Sequence, residues 1–156
     1  MRHPVMLFSP PLFLALCFLV FSAAAGPAVS AEIGQIKNLS NSVHILRNNT
    51  KIPAVAGELL HRDDTVLTGE DSKVGITFID NSRFSLGADS QVELSRFKFN
   101  PTTQEGQFHT TVKKGTLVVV SGKIAKFSPD AMKVRTRTSM ISVRGTKFMV
   151  KVTDSD

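Results

Sequence analysis

A two-residue rhythm constrains this chain more than any other feature. Val74, Ile76 and Phe78 alternate with Lys73, Gly75 and Thr77. Phe84 and Leu86 resume the rhythm after Asp80-Asn81-Ser82, and Val92 and Leu94 after Ala88-Asp89-Ser90. Val134, Thr136 and Thr138 alternate with Lys133, Arg135 and Arg137. Phe148, Val150 and Val152 alternate with Lys147, Met149 and Lys151. Successive side chains of a strand point to opposite faces, so such runs bury one face and wet the other. Leu117 to Val120 is an unbroken apolar run, which predicts a strand covered on both faces. Turn formers separate the runs, among them Gly57, Gly69, Asn100-Pro101, Gly115, Gly122, Ser128-Pro129-Asp130 and Gly145. No window after residue 31 sustains a 3.6-residue pattern. The chain is expected to be all-β, with about ten short strands. They stack as a sandwich, a barrel or a short solenoid, and periodicity does not choose among these.

The first 31 residues stand apart. Arg2 is the only charged residue before Glu32. Leu12 to Ala25 is apolar, Gly26-Pro27 breaks it, and Val29-Ser30-Ala31 offers a small residue at a cut. A short basic start, an apolar middle and an A-x-A-like end predict a secretory signal peptide over 1–31, cleaved after Ala31. The alternative is a retained membrane anchor over Val5 to Ala25, which Ser9-Pro10-Pro11 interrupts. Cys17, the only cysteine, lies inside the apolar run and does not follow small residues as a lipidated one would. A single domain over 32–156 is then expected in the bacterial periplasm or secreted, with a core that needs no disulfide.

Charge is unevenly spread. Residues 32–110 hold 8 Lys/Arg and 10 Asp/Glu, whereas residues 111–156 hold 10 and 3. Lys133, Arg135 and Arg137 are spaced to put three cations on one strand face. Export and the absence of Tyr and Trp for base stacking argue against nucleic acid. An anionic glycan, a lipid or an acidic protein would fit this face, as would simple protection of an edge by lysines.

No motif for catalysis is present. There is no Gly-x-Ser-x-Gly elbow, no cysteine nucleophile after residue 31 and no glycine-rich phosphate loop. His44, His61 and His109 lack metal-ligand spacing, and Asp63, Asp64, Glu70 and Asp71 lack the order of a calcium loop. No catalytic residue, metal or cofactor is expected.

Several stretches together resemble the FecR domain, named after an iron–dicitrate transport regulator. They are Gly57-Glu58-Leu59-Leu60, Asp64-Thr65-Val66-Leu67-Thr68-Gly69, Val74 to Ser82, Ser90-x-Val92-x-Leu94, Lys114-Gly115-Thr116-Leu117, Ser121-Gly122-Lys123 and Ile141-Ser142-Val143-Arg144-Gly145-Thr146-x-Phe148-x-Val150. The resemblance covers about residues 34–152, with Asn81 where the family usually has glycine. It implies an extracytoplasmic, non-enzymatic β domain of surface signalling and envelope proteins, stacked as a solenoid or sandwich.

Most signature residues read as structural. Asp64 and Thr68 are expected to bond local amides, and Gly69 to supply a positive φ. Gly115 marks a turn. Gly145 marks a corner between strands, with Thr146 beside it and Arg144 holding it, Asp80 being one partner for that Arg. The strand Phe148–Val152 is expected either to lie at an open edge, where Phe148, Val150 and Val152 would help dock a partner protein or a second copy, or to be paired on both sides.

Overall fold

A computed structural model describes residues 31–145 and 147–153. Residues 1–30 of the predicted signal segment and Thr146 lie outside the described residues, as does the tail from 154. Strands make up 60% of the structure and helix 4%, so the chain is all-β as its alternation predicts. The strands are β1 (Glu32–Ser40), β2 (Val43–Arg47), β3 (Thr50–Pro53), β4 (Leu59–His61), β5 (Thr65–Thr68), β6 (Lys73–Phe78) and β7 (Arg83–Leu86). They continue with β8 (Gln91–Phe99), β9 (Gly106–Val120), a short helix α1 (Lys123–Phe127), β10 (Met132–Arg135), β11 (Met140–Val143) and β12 (Lys147–Val152).

One strand organises the sheet. β9 is 15 residues long and belongs to two layers. Its first half pairs β8 antiparallel and β10 parallel, while its second half pairs β7 and β12. One layer therefore runs β3-β2-β5-β8-β9-β10-β11 and the other β4-β1-β6-β7-β9-β12. The two curl over a shared core of phenylalanines. Phe78 and Phe84 of the second layer meet Phe108 of the first at ring-centroid distances of 4.7 and 5.1 Å. Phe97 stands 4.8 Å from Phe108. All four are at least 95% buried, and edge-on and offset ring pairs of this kind add to the stabilisation from burial itself. The result is one 12-stranded sheet curled into a half-barrel through β9, and not the solenoid or the sandwich of separate sheets that the resemblance implies.

Gly115 is the bend that makes this possible. It was expected in a turn between strands, yet it sits inside β9, with φ +88°. A Cβ there would overlap the Cα and Oγ of Ser90, so glycine is required by conformation and by space. The run Leu117–Val120 also differs from expectation. Leu117 and Val119 are fully buried but Val118 and Val120 only half so, because this layer is covered by the core on one face alone. The helix α1 was not foreseen. Five residues are too few to give a helical period, and α1 is held by tertiary bonds and the burial of Ile124 and Ala125.

Candidate functional site

The signature residues before residue 123 lock turns from within. Asp64 is 1% exposed. Arg47 of β2 grips it with two bonds, Nε to Oδ1 at 2.9 Å and Nη2 to Oδ2 at 2.8 Å, and the His61 amide donates to Oδ2 at 2.8 Å. These bonds hold the Arg47 guanidinium above its ordinary pKa despite some burial. Arg47 is a partner that sequence spacing does not reveal.

Thr68 and Ser90 form the second lock. Thr68 Oγ1 donates to the Gly87 carbonyl at 2.6 Å and accepts the Ser90 amide at 2.8 Å. Ser90 Oγ accepts the Thr116 amide at 2.9 Å, just past the Gly115 bend. The partners of Thr68 are thus about twenty residues away, not local. Gly69 does not take a positive φ. The left-handed residue of its turn is Asp71, at φ +49°, while the Gly69 amide donates to Ser42 O at 2.9 Å.

Asp80 forms the third lock. It is fully buried and accepts the Ser82 amide at 3.0 Å and the Ser82 hydroxyl at 2.7 Å. It also accepts the Ile124 amide at 3.4 Å, one of the N–H groups left without an intrahelical partner at the start of α1. Ser82 Oγ in turn accepts the Gly122 amide at 2.9 Å. Arg144 is therefore not the partner of Asp80. It is exposed, and among the described residues it makes no ion pair. Gly145 takes φ +61° at the step from β11 to β12, and a Cβ there would touch nothing within 4 Å.

The exposed chemistry gathers instead on and after β8. The three-cation strand face is not formed as expected, because β10 ends at Arg135 and Arg137 falls in the bend towards β11. The Thr136 amide bonds the Ser139 carbonyl at 2.8 Å and closes that bend. Lys133 and Arg135 do share the outer face, and there they meet residues that the sequence did not single out together. Arg96 of β8 lies opposite His109 of β9, which lies opposite Lys133 of β10. Thr111 and Arg135 form the next row. With Ser95, Thr110 and Met140 they line a hollow of about 280 Å³. Burial, and then the charges of Arg96, Lys133 and Arg135, push the His109 imidazole below its ordinary pKa. A register shift between Glu93 and Arg96 sets this arrangement. Ser95 and Arg96 end up outside together, between inward-facing Leu94 and Phe97. Two apolar residues with two polar ones between them were the visible sign of that bulge.

A hollow of about 540 Å³ on the other layer is lined by Asn38, Gly75, Ser85 and Val118, with Lys73 its one charge. It offers no convergent chemistry.

Among the described residues the strand β12 pairs with β9 only, from Lys147↔Val120 to Val152↔Gly115. Val150 is buried, Phe148 and Val152 are half-buried, and Met149 is 67% exposed between Lys147 and Lys151. Among the described residues no helix is long and apolar enough to cross a membrane.

A curled antiparallel β half-barrel with turns locked by buried carboxylates and hydroxyls is the class these observations define. The FecR protein family matches residues 64–156, and the chain belongs to that family. It is a regulatory and signalling family of the bacterial envelope. The match begins at Asp64, so Gly57–Leu60 and the strands β1 to β4 lie ahead of it, although β1 pairs with β6 in the same sheet. No curated protein and no solved structure matches the chain.

Proposed function

We propose that this chain is an exported, non-enzymatic interaction module of the bacterial envelope that takes an extended, acidic segment of a partner protein along β12. The supporting observation is the unpaired side of β12. Strand β9 is its one strand partner among the described residues, so the backbone groups on its far side are open to a further strand. Charge selects the occupant. Residues 131–153 hold six Lys/Arg and no Asp/Glu. Lys147 and Lys151 stand exposed on the strand itself, with Arg144 beside it. A second copy would set these lysines against one another, whereas glutamates or aspartates would neutralise them. Such a partner in a receptor would make the module part of cell-surface signalling, and genes for a sigma factor and an outer-membrane receptor beside this one would favour that role. Export by residues 1–31 belongs to the same reading, and intact mass of the secreted protein should then begin at Glu32.

Hydrogen exchange tests the docking edge. The amides of residues 148–152 should exchange faster than those of 117–120 in dilute protein. They should slow when a synthetic peptide of alternating valine and glutamate is added. Equal protection of the two segments in the dilute protein would overturn the reading.

A further inference from the structure

The hollow over β8, β9 and β10 holds three cations and a histidine, and the cations have no ion-pair partner among the described residues. Arg96, His109 and Lys133 stand side by side across three strands, with Arg135 in the next row. Neighbouring strands are only about 4.8 Å apart, and like charges placed opposite one another in a sheet repel. Among the described residues Arg96, Lys133 and Arg135 make no ion pair. The nearby carboxylate, Glu93, is already held by Lys113 at 2.9 Å and approached by Ser95 Oγ at 3.3 Å. Ser95 and Thr111 hydroxyls lie 3.2 Å apart on the wall and can each turn a donor to a guest.

We propose that this hollow is a binding site for a phosphate ester, separate from the β12 edge. Three uncompensated cations call for more than one negative charge, which a phosphate monoester supplies and a single carboxylate does not. The two guanidinium groups present flat, forked donors suited to phosphate oxygens, and the ammonium of Lys133 adds a point charge. A volume of about 280 Å³ exceeds a bare phosphate, so room remains for the esterified group, with Met140 offering an apolar wall. His109 faces Arg96, Lys133 and Arg135, with the Glu93–Lys113 pair one row away. A dianion among them would favour the protonated imidazole, so the His109 ring should titrate at higher pH with the ester bound than without it. The source of the phosphate is either a soluble phosphorylated sugar or a lipid headgroup.

The test is NMR of the His109 ring signals at constant ionic strength, with inorganic phosphate and glucose 6-phosphate as soluble probes. Sedimentation with phosphatidylcholine vesicles containing phosphatidic acid is the lipid arm. Arg96→Gln and Arg135→Gln remove exposed charges, and their melting temperatures confirm folding. Lys51→Gln, on the edge strand β3, is the control. Either probe class should bind, and each arginine variant should weaken it by about tenfold, as expected for loss of a charge-assisted phosphate contact. Lys51→Gln should leave it unchanged. Binding to the soluble probes assigns a free phosphate ester, and binding to vesicles alone assigns a headgroup. Binding to neither, arginine variants equal to wild type, or the same shifts with chloride would overturn the proposal.

Discussion

The signature side chains before Lys123 and the cations after it use polar groups in opposite ways. In the first region Asp64, Thr68, Asp80, Ser82 and Ser90 are buried and each has named partners. In the second region Lys133 is half-exposed, Arg135, Arg144, Lys147 and Lys151 are exposed, and among the described residues none of the five makes an ion pair. A buried polar group must be satisfied within the protein or the fold loses stability. An exposed one costs the fold little and is free to meet a partner. The family signature runs through both regions, so its residues do not share one role. Before Lys123 they hold loops to loops, whereas Arg144 and Gly145 after it are exposed.

The largest test of this contrast is Gly115→Val. It should destabilise by about 4 kcal/mol or more, because backbone strain at positive φ adds to overlap with the Ser90 backbone. Urea denaturation of the full chain measures it. A variant as stable as wild type would mean that the bend in β9 does not require glycine.

How much of this was legible follows from the kind of contact involved. Strands β6, β7 and β12 were readable because one face of each is buried and the other wet. Gly115 was visible as a break, but a glycine reads the same at a turn as at a bend inside a long strand. Only pairing on both sides shows that β9 runs on through it. The locks were half legible. Asp64 and Asp80 stood out, yet Arg47 and the Ile124 amide are brought to them by topology, across 17 and 44 residues. The cationic hollow was hidden for the same reason. Lys133 and Arg135 share a strand and could be paired by spacing, whereas Arg96 and His109 reach them only through the β8–β9–β10 register. Arg137 was misplaced because alternation continues in the letters after the strand has ended at Arg135.

A smaller effect is expected at the step between β11 and β12. Gly145→Val should cost about 1–3 kcal/mol, the usual range for a bulky residue held at positive φ. No steric cost is added, since nothing lies within 4 Å of the new Cβ. Arg144→Lys should stay within about 0.5 kcal/mol of wild type, as an exposed residue without an ion-pair partner among the described residues. Thermal melts of the two variants side by side decide it. If Arg144→Lys were the more damaging, Arg144 would hold the corner and the second region would be locked like the first.

The smallest effect concerns pH. His109 has its pKa lowered in the folded chain, first by burial and then by Arg96, Lys133 and Arg135. A group with a depressed folded pKa binds protons more readily when unfolded. Its contribution to stability is therefore present above the ordinary value of 6.5 and is lost as pH falls below it, through the folded value. The ring is partly solvated, so the loss should be modest. His109→Gln isolates it. Between pH 7 and pH 5, in the absence of phosphate, the stability of the variant should fall less than that of wild type. Adding phosphate to wild type should reduce the same slope, because an anion in the hollow offsets the charges that oppose protonation. Parallel slopes for variant and wild type would show that the cations do not act on His109. The hollow would then be a scatter of solvated charges, with no electrostatic unit on β8, β9 and β10.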